Sequence, residues 1–245
     1  MGRKKAEDTA APGNFDGFTD DTFTYLAQLG RHRSDRNWFE ANRNRYERFL
    51  LQPLKDLVGD LGPIIQLIDS AIDVRPQVNM TISRVFRDTR FSKSKALFRN
   101  YMWIGFKDRS LPEGERATFY FVIRPDSYGY GMGFHQASPA TMAAIRKRIR
   151  LKTTEFRRIV EEEALNQRFQ PGFETYKRPP ESGYPDDLAA WFETRNVYYF
   201  NNGKDREKLA SPAFVTELIE AFSILSPLYC FVMDRPLLLR WRPEG

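Results

Sequence analysis

ATFYFVIRPDSYGYGMGFH, residues 117–135, is the stretch of sequence that decides the fold. Both halves alternate apolar residues with other residues at a period of two, which is the period of a β-strand. The short connection between them predicts an antiparallel pair of strands, at about 117–124 and 128–135. Alternation of the same kind predicts two earlier strands, at about 78–87 and 101–107. These four strands are expected to pair in chain order as an antiparallel meander.

Helical patterns flank this block of strands. A first helix is predicted from Asp21 to Leu29, and a second begins near Asn37, with Glu40 completing a capping box. Pro53 is expected to kink this second helix or divide it in two. Beyond the strands, the sequence predicts helices over 139–150, over 153–165 and after Ser211-Pro212, a surface loop over 166–187, a short strand from Val197 to Phe200 and a turn at Asn201-Asn202-Gly203.

Helices on both sides of a block of strands predict an α+β fold. The sheet is expected to be mainly antiparallel, with helices packed on one face and the N-terminal helices preceding the strands. Residues 1–15 are predicted to be a disordered tail because they are small, polar and charged. Residues 16–245 are predicted to form a single domain, since a chain of 245 residues can bury a substantial core.

The composition predicts a soluble, cytoplasmic protein with no membrane partner. Cys230 is the one cysteine, so the chain cannot form an internal disulfide. No run reaches the roughly 18 apolar residues of a membrane span, and the N-terminus lacks the apolar segment of a signal peptide. The 38 Lys and Arg residues exceed the 32 Asp and Glu residues, and the net charge of +6 modestly favours anionic partners.

The segment SRVFRDTRFSKSK, residues 83–95, concentrates positive charge. Its cations are Arg84, Arg87, Arg90, Lys93 and Lys95, and its one carboxylate is Asp88. On a strand, Arg84 would share a face with Ile82 and Phe86, where an unpaired charge costs several kcal/mol. The guanidinium group therefore needs an anionic partner, and arginine binds phosphate or carboxylate in a bidentate manner. The alternative is a structural cluster of ion pairs with a solvated loop.

The predicted strand over 128–135 has a glycine face. Gly129, Gly131 and Gly133 point to one side, and His135 stands at the end of that side. Glycine inside a strand is typical of close approach by another backbone, a helix or a ligand. His135 is then suited to proton transfer, and His135 and Asp88 are the candidate catalytic residues if the protein performs chemistry. Tight packing of a helix on the sheet, with a surface histidine, is the alternative.

Other functional motifs are missing from the sequence. Two histidines and one cysteine do not provide a His/Cys metal site, and no metal or cofactor is predicted. Phosphate-binding, dinucleotide-binding and hydrolase motifs do not occur. Aromatic residues on predicted strands are either core residues or platforms that stack on nucleic-acid bases. They are Tyr101, Trp103, Tyr120, Tyr198 and Tyr199.

Several motifs in the same order resemble a known family. They are Asn37-Trp38-Phe39-Glu40 with Asn42, Arg45 and Tyr46, the segment Ser83 to Lys93 with Lys95, the glycine strand, Ala144-Ile145-Arg146, and Tyr176-Lys177-Arg178-Pro179-Pro180 with Gly183-Tyr184. The chain resembles, over roughly residues 20–235, bacterial conserved hypothetical proteins classed as a domain of unknown function, number 2461. Ala96-Leu97-Phe98-Arg99 departs from the Thr-Pro-Tyr-Lys type of sequence that is common there. The resemblance implies no activity.

The sequence leaves three hypotheses about function. The first is binding of a small phosphorylated or carboxylated ligand by Arg84, Arg87, Arg90, Lys93 and Lys95, with or without chemistry. The second is nucleic-acid binding through this loop and the basic face of the helix over 139–150. The third is a protein-interaction or structural module whose arginines form internal salt bridges. Trp38, Glu40 and Asn42 are the candidate neighbours of the basic loop.

Overall fold

The structure, a computed structural model, describes residues 15–88, 94 and 96–238. The helices are α1 (Asp20–Arg31), α2 (Arg36–Ala41), α3 (Arg43–Tyr46), α4 (Gln52–Ile68), α5 (Pro139–Leu151), α6 (Thr153–Val160), α7 (Glu163–Arg168), α8 (Ala189–Glu193) and α9 (Ala213–Met233). The strands are β1 (Ile72–Asp73), β2 (Met102–Asp108), β3 (Ala117–Ile123), β4 (Tyr128–Phe134), β5 (Gln170–Thr175) and β6 (Thr194–Gly203). Residues 1–14 of the predicted tail lie outside the described residues. Phe15 is buried, and its backbone N–H donates to Asp60.

The strands form one antiparallel sheet in the order β1-β2-β3-β4-β6-β5. β2, β3 and β4 pair with their neighbours in sequence, as the alternating pattern predicts. β6 pairs with β4, and β5 pairs with the other side of β6. Helices precede and follow the strands, so the α+β fold with a mainly antiparallel sheet is confirmed.

The apolar core lies between one face of this sheet and the long helices. Helix α9 lies against that face, where Phe222 contacts Phe106 and Phe119, and Phe214 contacts Phe121. Helix α4 packs on α9 and on β2. The prediction that helices cover one face of the sheet is confirmed.

The helix expected around Pro53 is divided, which is one of the two predicted outcomes: α4 begins at Gln52, after a π-helical turn at Glu47–Leu51. Proline lacks the backbone N–H that would bond to the carbonyl of Phe49, four residues earlier, and its ring would clash with that carbonyl. The Phe49 carbonyl accepts a hydrogen bond of 2.6 Å from the hydroxyl of buried Thr22 in α1 instead. The chain therefore continues into α4, and the freed carbonyl ties α1 to this turn.

A buried network of charges fastens the end of α9 to the sheet. Arg235 donates to Asp69 at the end of α4 and to Asp108 at the end of β2, each at 3.0 Å. The hydroxyl of Tyr229 also donates to Asp69, at 2.9 Å. Because both carboxylates are almost completely buried, Arg235 supplies the charge that makes their burial tolerable.

The strand predicted over 78–87 is wrong. Isolated bridges join Ile82 to Ile104 and Phe86 to Phe98, but no continuous ladder forms. Asn79 has a φ of 71°, which interrupts an extended chain. The segment follows the edge of β2 without becoming a regular strand.

The surface loop predicted over 166–187 contains the strand β5. The prediction of a loop was based on its prolines and glycines. Pro171 lies in the edge strand β5, where proline is tolerated because a position there can do without a ladder hydrogen bond. The turn predicted at Asn201-Asn202-Gly203 is likewise wrong, since these residues extend β6 and pair with β4. The helix predicted over 153–165 is divided into α6 and α7.

Helix α9 is long and apolar enough to cross a membrane by length and composition alone. Most of its apolar stretch is buried inside the protein against the sheet. Such burial is typical of a core helix, and the fold is compatible with a soluble protein.

Candidate functional site

The described part of the basic loop forms the base of an irregular hairpin. The backbone N–H of Arg87 donates to Leu97, and that of Arg99 donates to Val85. The carbonyl of Arg33, in the connection between α1 and α2, accepts hydrogen bonds from the N–H groups of both Leu97 and Phe98. Three separate segments, around residues 33, 86 and 98, therefore lie side by side.

Phe39 of α2 anchors this hairpin. Its ring stacks on Phe98 at a centroid distance of 4.6 Å and meets Phe86 edge-on at 5.5 Å. The aromatic contacts bury the inner side of the hairpin and leave its arginines on the outside. The Asn-Trp-Phe-Glu motif and the basic loop are thus neighbours in space, through Phe39.

Arg84 is exposed, so the expectation that it projects on the apolar side of a strand is wrong. Because 78–87 is not a regular strand, the alternation that placed Arg84 beside Ile82 does not hold. Arg87 is partly exposed, and its guanidinium group donates to Ser94 at 3.4 Å. Asp88 is exposed at the base of the loop. Arg90, Lys93 and Lys95, the remaining predicted anion-binding residues, lie outside the described residues.

The tertiary structure adds arginines that the sequence analysis did not connect with the loop. We call the combined set the basic surface, and its members are Arg31, Arg33, Arg36, Arg84, Arg87 and Arg99. Their side chains are exposed or partly exposed. Within the described ranges, none of these six guanidinium groups forms an ion pair with a carboxylate. The surface is shallow where Arg31 to Asn37 line it.

Trp38 lies beside the basic surface, whereas Glu40 and Asn42 have local roles. The Trp38 ring stacks on His32 at 4.7 Å, with an angle of 6° between the planes. Glu40 holds Arg43 through hydrogen bonds of 2.7–3.0 Å, and the Asn42 amide donates to the carbonyl of Trp38. The predicted capping box is wrong, because Asp35 caps α2 by accepting from the Trp38 N–H at 2.9 Å.

The basic face predicted for the helix over 139–150 is largely occupied by internal contacts. Arg146 is buried and donates to Glu181 at 2.8 Å. Arg150 binds the same carboxylate at 3.0 Å. Arg148 donates to the last carbonyls of α9, at Phe231 and Val232. These arginines hold α5 to its neighbours and are not free to bind an external anion.

The carboxyl group that pairs with α5 is correspondingly perturbed. Burial by itself would raise the pKa of Glu181, but hydrogen bonds from Arg146 and Arg150 and their positive charges outweigh burial and hold the pKa below its usual value of 4.5. A lowered carboxyl pKa is typical of an ion pair that stabilises the fold.

The glycine face of β4 is closed by its neighbouring strand. A Cβ atom on Gly131 would overlap the backbone of β6 at Tyr199, and one on Gly133 would overlap Tyr198. Close approach of another backbone, one of the alternatives that the sequence left open, accounts for Gly131 and Gly133.

Aromatic side chains lie on the same face of the sheet as these glycines. Alternation and strand register place Trp103, Tyr120, Tyr198 and Phe200 there, and we call this set the aromatic side of the sheet. All four are partly exposed, and none belongs to the apolar core or packs against it. The Trp103 ring lies over Gly105, where a Cβ atom would come within 2.6 Å of it. Gly105 thus leaves room for the Trp103 ring over the strand.

Cations border the aromatic side of the sheet. Burial raises the pKa of Tyr120 to about 12, with a contribution from Tyr198, while the positive charge of Arg124 acts in the opposite direction. The Lys107 ammonium group stands 5.6 Å from the Trp103 ring centre, and burial lowers its pKa although Glu113 opposes the shift. Tyr120 is therefore neutral at physiological pH.

The candidate catalytic residues are not brought together by a described contact. His135 is exposed just after β4, near Glu113, while Asp88 is exposed beside the basic surface. Among the residues that the structure describes, no group of three or more His, Cys, Asp or Glu residues could hold a metal ion. The described residues offer a charged surface and an aromatic surface.

A family model described as "Conserved hypothetical protein (DUF2461)" matches residues 21–231. The chain belongs to this family. The match includes the Asn-Trp-Phe-Glu motif, the basic loop and the glycine strand, so it confirms the resemblance seen in the sequence. No curated protein is significantly similar to the chain. The description of this family names no activity and no ligand.

Proposed function

We propose that the protein binds nucleic acid through the basic surface. The observation that carries this proposal is the contrast between arginines that have carboxylate partners and arginines that do not. Arg146, Arg150 and Arg235 are matched to acids inside the fold, whereas the six arginines of the basic surface have no such partner among residues 15–88, 94 and 96–238. Exposed guanidinium groups of this kind are suited to phosphate groups.

The shape of the basic surface favours an extended polyanion over a small ligand. Small phosphorylated or carboxylated ligands, the first expectation from the sequence, bind in concave sites that bury most of their surface. A cleft of about 710 Å³ lies between α6 and the end of α9, and Arg148, Lys152 and Arg235 line it. No residue of the basic surface lines that cleft, and the depression of about 670 Å³ that Arg31, Arg33 and Arg36 line is widely open to solvent.

The proposed setting is the cytoplasm. The fold needs no disulfide, and its single cysteine, Cys230, is buried. Burial raises the pKa of the Cys230 thiol to about 11, with a contribution from Asp69, so the thiol stays protonated and unreactive at neutral pH. A reducing compartment that contains nucleic acid suits both properties.

Fluorescence anisotropy with labelled oligonucleotides tests the proposal. Affinity is expected to fall steeply between about 50 and 200 mM salt, because each phosphate neutralised on a single strand contributes about −0.7 to the slope of log K against log salt. Arg84→Ala/Arg87→Ala should weaken binding and reduce the size of that slope by about 1.4 if both arginines contact phosphate.

Lys147→Ala/Arg158→Ala is the matched control, because it removes two exposed charges outside the basic surface. This control should retain the affinity and slope of the parent chain. Equal losses of affinity in both variants would show that only net charge matters, and would overturn the proposed site. Tight binding of inorganic phosphate or a nucleotide, with no binding of oligonucleotides, would favour the small-ligand hypothesis instead.

A further inference from the structure

The aromatic side of the sheet contains partly exposed rings that lie outside the apolar core. Trp103, Tyr120, Tyr198 and Phe200 stand outside the apolar core cluster. Soluble proteins seldom leave a contiguous group of large aromatic side chains partly exposed without a binding role. The Trp103 ring occupies the space over Gly105 that a Cβ atom would fill.

Tyr198 repeats the arrangement of Trp103 on the other side of β4. Its ring covers Gly172 of the edge strand β5, where any Cβ atom would collide with it. The Phe200 ring stands next to it, with the two centroids 5.7 Å apart. From β2 to β6 the platform crosses three strand spacings, roughly 14 Å, so rings are spread over a length that a short run of nucleotides can cover.

A line of cations connects this platform to the basic surface. Tyr101, which precedes β2 and is 37 % exposed, has the Arg99 guanidinium 6.0 Å above its ring. Tyr101, Arg31 and Arg124 line one shallow depression, which Asp126 also borders. Arg31 and Arg99 are members of the basic surface. The positive charge of Arg124 also acts on Tyr120, so the arginines around this depression lie beside the aromatic side of the sheet.

We propose that the aromatic side of the sheet stacks on unpaired bases of a single-stranded nucleic acid, with phosphates held along Arg31, Arg99 and Arg124. This inference rests on the proposed function and specifies its substrate as single-stranded. Stacking on rings requires bases whose faces are free, and a duplex keeps its base faces stacked within the helix. The positive charge beside the rings selects a polyanion over an apolar protein partner.

The decisive experiment uses the unmodified protein and two strands of equal charge. One is an oligothymidylate of about twelve nucleotides, a length within the range bound by sheet-based single-strand sites. The other is an abasic strand with the same number of phosphates and no bases. Stacking predicts that the abasic strand binds at least about tenfold more weakly, equivalent to about 1.4 kcal/mol. A hairpin duplex with the same number of phosphates should also bind more weakly than the oligothymidylate.

Variants then locate the stacking. Trp103→Leu and Tyr198→Leu should each reduce the difference in affinity between the oligothymidylate and the abasic strand. The affinity for the abasic strand itself should stay unchanged. Tyr176→Leu is the matched control, because Tyr176 is a partly exposed tyrosine outside both surfaces. If thermal unfolding shows that either variant does not fold, Phe200→Leu is used in its place.

The outcomes separate the two proposals. Equal binding of the oligothymidylate and the abasic strand overturns stacking but leaves phosphate binding by the basic surface intact. Binding of no strand at all overturns the proposed function and this inference together. A dimer that Trp103→Leu or Tyr198→Leu converts to a monomer in sedimentation would assign the aromatic side of the sheet to contact between two copies of the chain, and would overturn the inference.

Discussion

Helix α5 and the basic surface are both rich in arginine, but their arginines meet opposite environments. Arg146 and Arg150 share Glu181, and Arg148 caps the end of α9. Arg84 is exposed on a hairpin whose buried side is aromatic, and Arg33 is exposed in the neighbouring connection between α1 and α2. The comparison teaches that the density of charge along a sequence does not reveal whether an arginine stabilises the fold or is available to a ligand. Carboxylates that are distant in sequence decide that question.

Among the arginines that pair with carboxylates inside the fold, removal of Arg235 should reduce stability most. Arg235→Ala leaves Asp69 and Asp108 buried without their cation, and breaking a buried ion pair costs about 3–5 kcal/mol. Tyr229 and Ser110 still donate to these carboxylates, so a loss of about 3 kcal/mol in the free energy of unfolding is expected. Urea denaturation measures it. A loss similar to that of Arg158→Ala, an exposed arginine, would contradict the role assigned to this network.

Arg146→Ala should come next. Arg146 is buried, but its partner Glu181 is 31 % exposed and keeps Arg150. The expected loss in the free energy of unfolding is therefore about 2 kcal/mol, below the range for a fully buried pair. Chemical denaturation of Arg146→Ala is compared with that of Lys147→Ala, which removes the adjacent exposed cation. The comparison separates the effect of burial from the effect of charge. An equal effect in both variants would place Arg146 among the solvated arginines.

The pH dependence of stability sharpens the same comparison. The pKa of Glu181 is lowered in the folded protein, so its ion pair stabilises the fold above the usual carboxyl pKa of 4.5. That contribution is lost as the pH falls through the lowered folded pKa. Glu181→Gln leaves Arg146 without a charged partner and should cost about 1–3 kcal/mol at pH 7.

Acid should remove the difference between the parent chain and Glu181→Gln, because the parent residue becomes neutral as well. Denaturation curves collected from pH 7 down to about pH 3 follow that convergence through the carboxyl range. A gap that stays constant over the whole range would show that Glu181 contributes through packing and not through its charge.

The smallest effect on stability is expected at the basic surface. Arg84→Ala/Arg87→Ala removes side chains that lack carboxylate partners within the described chain, so the free energy of unfolding should change by less than about 0.5 kcal/mol. Thermal and urea unfolding measure this change on the protein used for binding. A large destabilisation would mean that these arginines hold the fold, as the structural hypothesis from the sequence states.

Local pattern was sufficient for much of the fold. The alternation in 117–135 predicts β3 and β4 within one residue of their ends, and Ser138 caps α5 by accepting from the backbone N–H of Thr141 at 3.1 Å. These elements depend on neighbouring residues, so the sequence contains their signals. Prediction failed where a distant partner decides the conformation, as at β5, whose Pro171 is acceptable only because β5 forms an edge of the sheet.

The candidate site was predictable only in part. The sequence drew attention to Arg84 and Arg87 through their clustering, and to the glycines of β4 through their period. It did not connect Arg31, Arg33 and Arg36 with them, because the contact runs through backbone hydrogen bonds from Leu97 and Phe98 to Arg33. A proximity created by a non-local hydrogen bond leaves no spacing signal in the chain.

The sequence by itself determined the family, the α+β class and the positions of the central strands, since periodicity and turn residues act over short distances. Only the tertiary structure decided which arginines are matched and which face of the sheet keeps its aromatic rings outside the core. Burial and ion pairing depend on residues such as Arg235 and Asp69, which are far apart in sequence and adjacent in space. The division between stabilising and ligand-facing charge is therefore a property of the folded chain.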